Sequence, residues 1–163
     1  MGVIVVGVDH SEGAKAALEF AADEAKLRQS ILRAVHAWQF SFETPGIEGG
    51  LYPAVLPDLS DMHSAAEAAV EAALADAIPD LRGIAVEHRV IEGAPGAVLV
   101  DESQGAELLV VGSRGYGPVR SVLLGGVSRR LVDGAHCPVL VLPRGVERPF
   151  EDLLSASTAA TAS

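Results

Sequence analysis

Aromatic residues, cysteine and positive charge are all scarce in this sequence of 163 residues. Aromatics make up 4% of the chain while hydrophobic residues make up 49%, so the core has to be built from aliphatic side chains and alanine. The single cysteine, Cys137, excludes an internal disulfide and indicates a reducing compartment, so we expect a cytoplasmic protein. Twelve basic against 22 acidic residues give a net charge of −10, which argues against nucleic acid or an anionic membrane as a general partner.

Long apolar runs and recognisable catalytic motifs are also missing. No stretch approaches the ~20 apolar residues of a membrane span, and the opening residues 1–6 lack the basic region of a signal peptide. The five histidines share no spacing that a metal site would need. No serine lies in a Gly-x-Ser-x-Gly turn, so we predict neither a resident metal nor a catalytic residue.

Short apolar runs alternate with helical stripes along the chain. Strands are predicted at residues 3–8, 31–38, 84–91, 108–111 and 139–142, and helices at about 12–29, 66–78, 94–104 and 127–132. This alternation predicts a single α/β domain with a five-stranded parallel sheet and helices on both faces. The third strand has a mixed polar pattern, which fits an edge position.

Two glycine-rich turns follow the fourth predicted strand. The first is Gly112-Ser113-Arg114-Gly115, and nine residues later Gly125-Gly126 precede a helical segment that begins Val127-Ser128. Glycine permits positive φ and close backbone approach, and the N–H groups and positive dipole end of a helix start attract anions. We interpret these turns as the grip on a phosphorylated small molecule, with Arg114 and Arg120 as cations and the two serine hydroxyls as phosphate donors. The alternative is that the glycines only make tight turns.

The spacing Gly112-x-x-Gly115, nine residues and Gly125 resembles the nucleotide-binding signature of the universal stress protein family. The likeness covers residues 3–143 and includes Gly7-Val8-Asp9-His10-Ser11, Val35-His36-Ala37, Gly93-Ala94-Pro95 and Cys137-Pro138-Val139-Leu140-Val141. It implies a Rossmann-like fold of the adenine nucleotide alpha hydrolase type, with strand order 3-2-1-4-5. One position departs from the family pattern, because ATP-binding members usually carry Ser or Thr where this chain has Gly126.

The resemblance also implies a site for ATP, with magnesium accompanying the triphosphate. Asp9 is expected to accept from ribose or base groups, although capping of the first helix, which Ser11 could also supply, is an alternative. The backbone at Ala37 is expected to hold adenine. The full set of predicted nucleotide-binding residues is Asp9, Ala37, Gly112, Ser113, Arg114, Gly115, Gly125, Gly126, Val127 and Ser128.

These features favour a nucleotide-binding sensor or regulatory module with no fast chemistry of its own. A stress-related interaction module that binds no nucleotide, and a slow ATPase or cyclic-nucleotide binder, remain as alternatives. The apolar strand at 138–142 would be a bare sheet edge, and its pairing across a twofold axis, as in relatives, predicts a homodimer. The Pro- and Gly-rich connection 39–60 is expected to form a cover or packing surface, and residues 144–163 a disordered tail after the domain 1–143.

Overall fold

The computed structural model describes residues 1–9, 11–39, 59–113 and 125–143. Strands and helices alternate through these residues in the predicted order. The elements are β1 (Val3–Gly7), α1 (Glu12–Arg28), β2 (Ile31–Trp38), α2 (Leu59–Ala77), β3 (Ala85–Glu92), α3 (Pro95–Glu102), β4 (Leu108–Gly112), α4 (Gly126–Gly134) and β5 (Val139–Leu142).

All five strands are parallel and lie in the order β3-β2-β1-β4-β5, which confirms the predicted fold. In the central strand β1, Ile4, Val5 and Val6 are fully buried. This burial explains why that strand reads as a continuous apolar run rather than as an alternating pattern. β3 lies at the sheet edge, as its mixed polar pattern predicted.

Two helices cover each face of the sheet. On one face, α1 presents small residues such as Ala17 and Ala21, and α2 packs beside it through Val70 and Leu74. Small side chains let a helix approach a sheet closely, so an aliphatic core needs few aromatics. The other face is covered by α3 and α4, whose buried side chains pack against β1, β2 and β4; they are Val98, Leu99 and Leu131.

The ends of α1 follow from its sequence, whereas the start of α2 does not. Ser11 caps α1, because its hydroxyl accepts the N–H of Ala14 at 3.3 Å, and Gln29 ends the helix in the left-handed conformation. α2 begins at Leu59, seven residues before the apolar stripe that predicted it at residue 66. Its early residues Ser60 and Asp61 are exposed, so this part of the helix carries no periodic apolar signal.

An ion-pair network ties the edge of the sheet to α3. Arg33 on β2 donates through Nε to Glu87 Oε1 at 2.5 Å and through Nη1 to Glu102 Oε2 at 3.3 Å. Arg89 on β3 donates to the same Glu102 at 3.0 Å. The side chains of Glu102 and Arg33 are only 12% and 16% exposed, so this network lies largely out of water.

Candidate functional site

The sheet reverses its winding direction between β1 and β4. These neighbouring strands pair in parallel, with Val6 opposite Val110, so their carboxyl ends lie at the same sheet edge. β1 ends at Gly7 just before Asp9, and β4 ends at Gly112 just before Ser113. In doubly wound sheets the crevice at such a reversal is where ligands bind, and Asp9, Gly112 and Ser113 lie at this edge of the sheet.

Gly112 is required for a close approach between β4 and α1. A Cβ at this position would lie 2.8 Å from the carbonyl carbon and 2.9 Å from the carbonyl oxygen of Gly13. Of the two properties that glycine offers, positive φ is not used at Gly112, because the positive-φ glycines of the described chain are Gly83, Gly93 and Gly105. Close backbone approach alone explains the glycine. Gly13 was missed by the sequence analysis, although a glycine near the start of an alanine-rich helix is itself a signal of close packing.

The turn after β4 is held to the neighbouring strand and to the start of α4. The N–H of Ser113 donates to the Leu142 carbonyl at 2.7 Å, and the Ser113 carbonyl accepts the N–H of Gly125 at 3.2 Å. The Ser128 hydroxyl donates to the carbonyls of Gly112 at 3.3 Å and Ser113 at 3.4 Å. The structure therefore brings four of the predicted residues into direct contact. It turns the Ser128 hydroxyl towards the strand end, which differs from the predicted donation to phosphate.

The start of α4 has no capping side chain among the described residues. The first backbone bond of the helix there runs from the N–H of Arg129 to the Gly125 carbonyl at 2.9 Å. Within the described part of the chain, the N–H groups of Gly126, Val127 and Ser128 therefore have no acceptor. Gly126 is exposed, and a Cβ built there meets no atom of the described residues within 4 Å. Three N–H groups can thus donate to an anion, which the positive end of the helix dipole also attracts, without displacing a described side chain.

Asp9 helps to cap α1 through one of its two carboxylate oxygens. Its Oδ1 accepts the N–H of Ser11 at 3.0 Å and also the Ser11 hydroxyl. Among the described residues, no hydrogen bond reaches its Oδ2. The two interpretations of Asp9 are therefore compatible, because one carboxylate oxygen orders the start of α1 while the other remains available to a ligand.

Ala37 lies near the carboxyl end of β2, opposite Ile91 of β3, and packs against the core of the α3–α4 face. Next to it, the carbonyl of Trp38 accepts the N–H of Gly93 at 2.8 Å, which holds the strand ends together. The Trp38 ring lies 6.5 Å from the ring of His63 on α2. Sequence analysis did not anticipate this contact, for which the only signal was a lone tryptophan at a strand end.

Several predictions concern residues that lie outside the part of the chain that the structure describes. Arg114, Gly115 and Arg120 lie there, as do most of the connection 39–60 and the tail 144–163. Among the described residues no group of three or more His, Cys, Asp or Glu could hold a metal ion, and no helix is long and apolar enough to cross a membrane. Cys137 is partly buried, and this burial raises the pKa of its thiol, which disfavours the reactive thiolate.

The fold and the site define a doubly wound α/β protein with an open helix start at the reversal of the sheet. A sequence model of the universal stress protein family matches residues 1–143. The chain is 33% identical over 153 residues to universal stress protein Rv2624c of Mycobacterium tuberculosis, covering 94% of this chain and 52% of that protein. The chain belongs to the universal stress protein family, and it spans about half the length of the curated relatives it matches.

Solved structures show the same fold. Universal stress protein UspA from Lactobacillus plantarum superimposes with a TM-score of 0.66 at 24% identity, covering 86% of this chain and 97% of that one. A universal stress protein in complex with cAMP has a TM-score of 0.53 at 24% identity, covering 86% and 95%. A member from Archaeoglobus fulgidus in complex with dAMP has a TM-score of 0.52 at 23% identity, covering 86% of this chain and 97% of that one. A member from Arabidopsis thaliana with AMP bound has a TM-score of 0.56 at 19% identity, covering 90% of this chain and 94% of that one.

Proposed function

We propose that this protein binds an adenine nucleotide, ATP in the first instance, and acts as a sensor or regulatory module rather than as a fast enzyme. The observation that carries the proposal is the open start of α4, where three N–H groups lack acceptors in the described chain. Membership of the family supports the proposal, as do the solved members with bound cAMP, dAMP and AMP. The single cysteine suits a cytoplasmic location.

Each part of the nucleotide has a matching group in this arrangement. The phosphate would accept from the N–H groups at Gly126, Val127 and Ser128, where the helix dipole also favours negative charge. Asp9 Oδ2 would accept from a ribose hydroxyl, and the backbone at Ala37 would meet the adenine. Arg114 and Gly115 complete the proposed phosphate site, on sequence grounds alone.

The described residues fit a phosphate but provide no cage for magnesium. Asp9 is the single carboxylate among the proposed site residues, and one of its oxygens is already used by Ser11. Magnesium usually enters such sites with the phosphates of its ligand and retains several waters. In this proposal it therefore arrives with ATP and is absent when the ligand carries one phosphate.

A homodimer is the assembly that we propose. β5 is an edge strand whose residues Val139, Leu140 and Val141 are only partly buried. An apolar edge is protected when it pairs with a second strand, and a copy of the same strand across a twofold axis satisfies this need. The length of the relatives, about twice that of this chain, is consistent with two such domains acting together.

A charge placed at the start of α4 tests the nucleotide site. Gly125 is the N-cap of the helix, and both Asp and Asn are good N-cap residues, so both variants should fold. In titration calorimetry, Gly125→Asp should lose ATP and AMP affinity by about tenfold or more, because its carboxylate repels phosphate. The neutral control Gly125→Asn presents an amide oxygen to the same N–H groups without the charge, so it should lose less affinity than Gly125→Asp. Wild-type affinity in both variants would place the phosphate elsewhere, and a wild-type protein that binds neither ATP nor AMP would favour an interaction module that binds no nucleotide.

Nucleotide that survives purification can be identified directly. Mass spectrometry of the supernatant after denaturation would reveal the adenine nucleotide that the protein carries. Phosphate release measured over hours in the presence of ATP separates a binding module from a slow ATPase, and we expect release no faster than in buffer.

A further inference from the structure

Ser128 lies at the junction between β4 and α4. It is 2% exposed, although its hydroxyl is polar, and it is one of two buried residues in the nine-residue helix α4, the other being Leu131. The core side of α4 is therefore attached by one apolar side chain and one hydroxyl. Loss of the hydroxyl would remove the hydrogen bonds that join the first turn of α4 to the end of β4.

The Ser128 hydroxyl shares its single proton between two carbonyls of the turn that ends β4. The distances, 3.3 Å to Gly112 and 3.4 Å to Ser113, are long for a hydroxyl donor and describe a three-centre bond. The Ser113 carbonyl also accepts the N–H of Gly125 at 3.2 Å. Two groups at the start of α4 thus converge on one carbonyl at the end of β4, and the turn is fixed from both sides.

We propose that Ser128 is a positioning residue for the phosphate site and that its hydroxyl does not itself bind phosphate. This inference rests on the proposed function. By fixing the first turn of α4 to the strand end, the hydroxyl sets the direction in which the free N–H groups of Gly126 and Val127 point. The phosphate then meets donors that are already oriented, and less conformational freedom is lost on binding.

The orientation of the hydroxyl distinguishes this role from direct binding. A serine that donated to phosphate would leave the carbonyls of Gly112 and Ser113 with one fewer donor, whereas here the proton is already directed at them. Alanine has a higher helix propensity than serine, so Ser128→Ala should not weaken α4 intrinsically. Any loss of phosphate affinity in this variant would then report the lost attachment of the helix start.

Binding measurements with two ligands test the inference. Ser128→Ala should bind ATP and AMP about three- to tenfold more weakly than wild type, the range expected for one neutral hydrogen bond. Adenosine, which has no phosphate, should bind within twofold of wild type, and Ser128→Thr, which retains the hydroxyl, should recover ATP affinity. Equal losses for ATP and adenosine, or unchanged ATP affinity, would overturn the positioning role.

Hydrogen exchange of the ligand-free protein supplies a second readout that does not depend on nucleotide. The Gly125 amide, which donates to Ser113, should exchange at least threefold faster in Ser128→Ala than in wild type, while the amide of Val110 in the sheet is unchanged. Unchanged exchange at Gly125 would overturn the positioning role even if wild type binds ATP. If exchange is faster but wild type binds no adenine nucleotide, the proposed function fails, and the role in phosphate binding fails with it.

Discussion

Replacing Gly126 by serine adds a hydroxyl at the open start of α4, where ATP-binding members of the family usually carry one. The described part of the chain leaves room for the change, since a Cβ at this position meets none of its atoms within 4 Å. A hydrogen bond to a charged acceptor contributes about 1.5 to 3 kcal/mol, which corresponds to roughly ten- to a hundredfold in affinity. We therefore expect Gly126→Ser to bind ATP at least tenfold more tightly than wild type.

Gly126→Ala is the matched control for this prediction. It adds the same Cβ and likewise restricts the backbone, but it lacks the hydroxyl. Titration calorimetry of both variants with ATP and magnesium then isolates the hydroxyl, and AMP in place of ATP shows whether the gain requires the triphosphate. If serine binds no more tightly than alanine, and Ser128→Ala also leaves affinity unchanged, phosphate does not bind at this helix start.

Three further substitutions probe the close approach, the ion network and the dimer. Gly112→Ala should lower the free energy of unfolding by about 1 to 3 kcal/mol, measured by urea denaturation, because the added Cβ meets the backbone of Gly13 at 2.8 Å. Glu102→Gln should lower it by about 1.5 to 3 kcal/mol, because largely buried Arg33 loses a charged acceptor. Val141→Lys should convert a dimer into a monomer in size-exclusion chromatography with light scattering, because it places a charge at the paired edge.

The two stability predictions each have a control. Gly126→Ala should unfold at or above the wild-type urea midpoint, because the Cβ it adds touches none of the residues that the structure describes. Asp80→Asn breaks an exposed pair with Arg82, so its stability should match wild type, unlike that of Glu102→Gln. Undiminished stability in Gly112→Ala would refute the close approach, and wild-type stability in Glu102→Gln would refute the importance of the network. A wild-type monomer at micromolar concentration would refute the dimer.

The strands could be predicted from sequence because a strand that is buried on both faces is a continuous run of apolar residues. The predicted ranges 31–38 and 139–142 coincide with β2 and β5, and the connection order was sufficient for a parallel sheet. The start of α2 at Leu59 could not be predicted, because its early residues Ser60 and Asp61 bury no apolar stripe. Apolar periodicity arises where a helix buries one face, so an exposed helical turn shows no such periodicity in its sequence.

The glycine spacing predicted where the candidate site lies, but it did not predict what the individual atoms do there. Glycine is needed at position 112 because the backbone of Gly13, which belongs to α1, lies against it in the folded chain. The direction of the Ser128 hydroxyl likewise depends on where β4 ends relative to α4. The pairing of Arg33 with Glu102 joins residues 69 positions apart, for which one sequence offers no signal.

Nuclear magnetic resonance of the amide groups during titration with ATP and magnesium shows directly whether a nucleotide phosphate binds at the start of α4. We expect saturable shifts of the Gly126, Val127 and Ser128 amides in ¹⁵N–¹H spectra, with a smaller response at the Ala37 amide. The same titration with GTP should give weaker effects if the site selects adenine. The absence of any shift at these amides up to millimolar ATP would show that ATP does not bind at the start of α4.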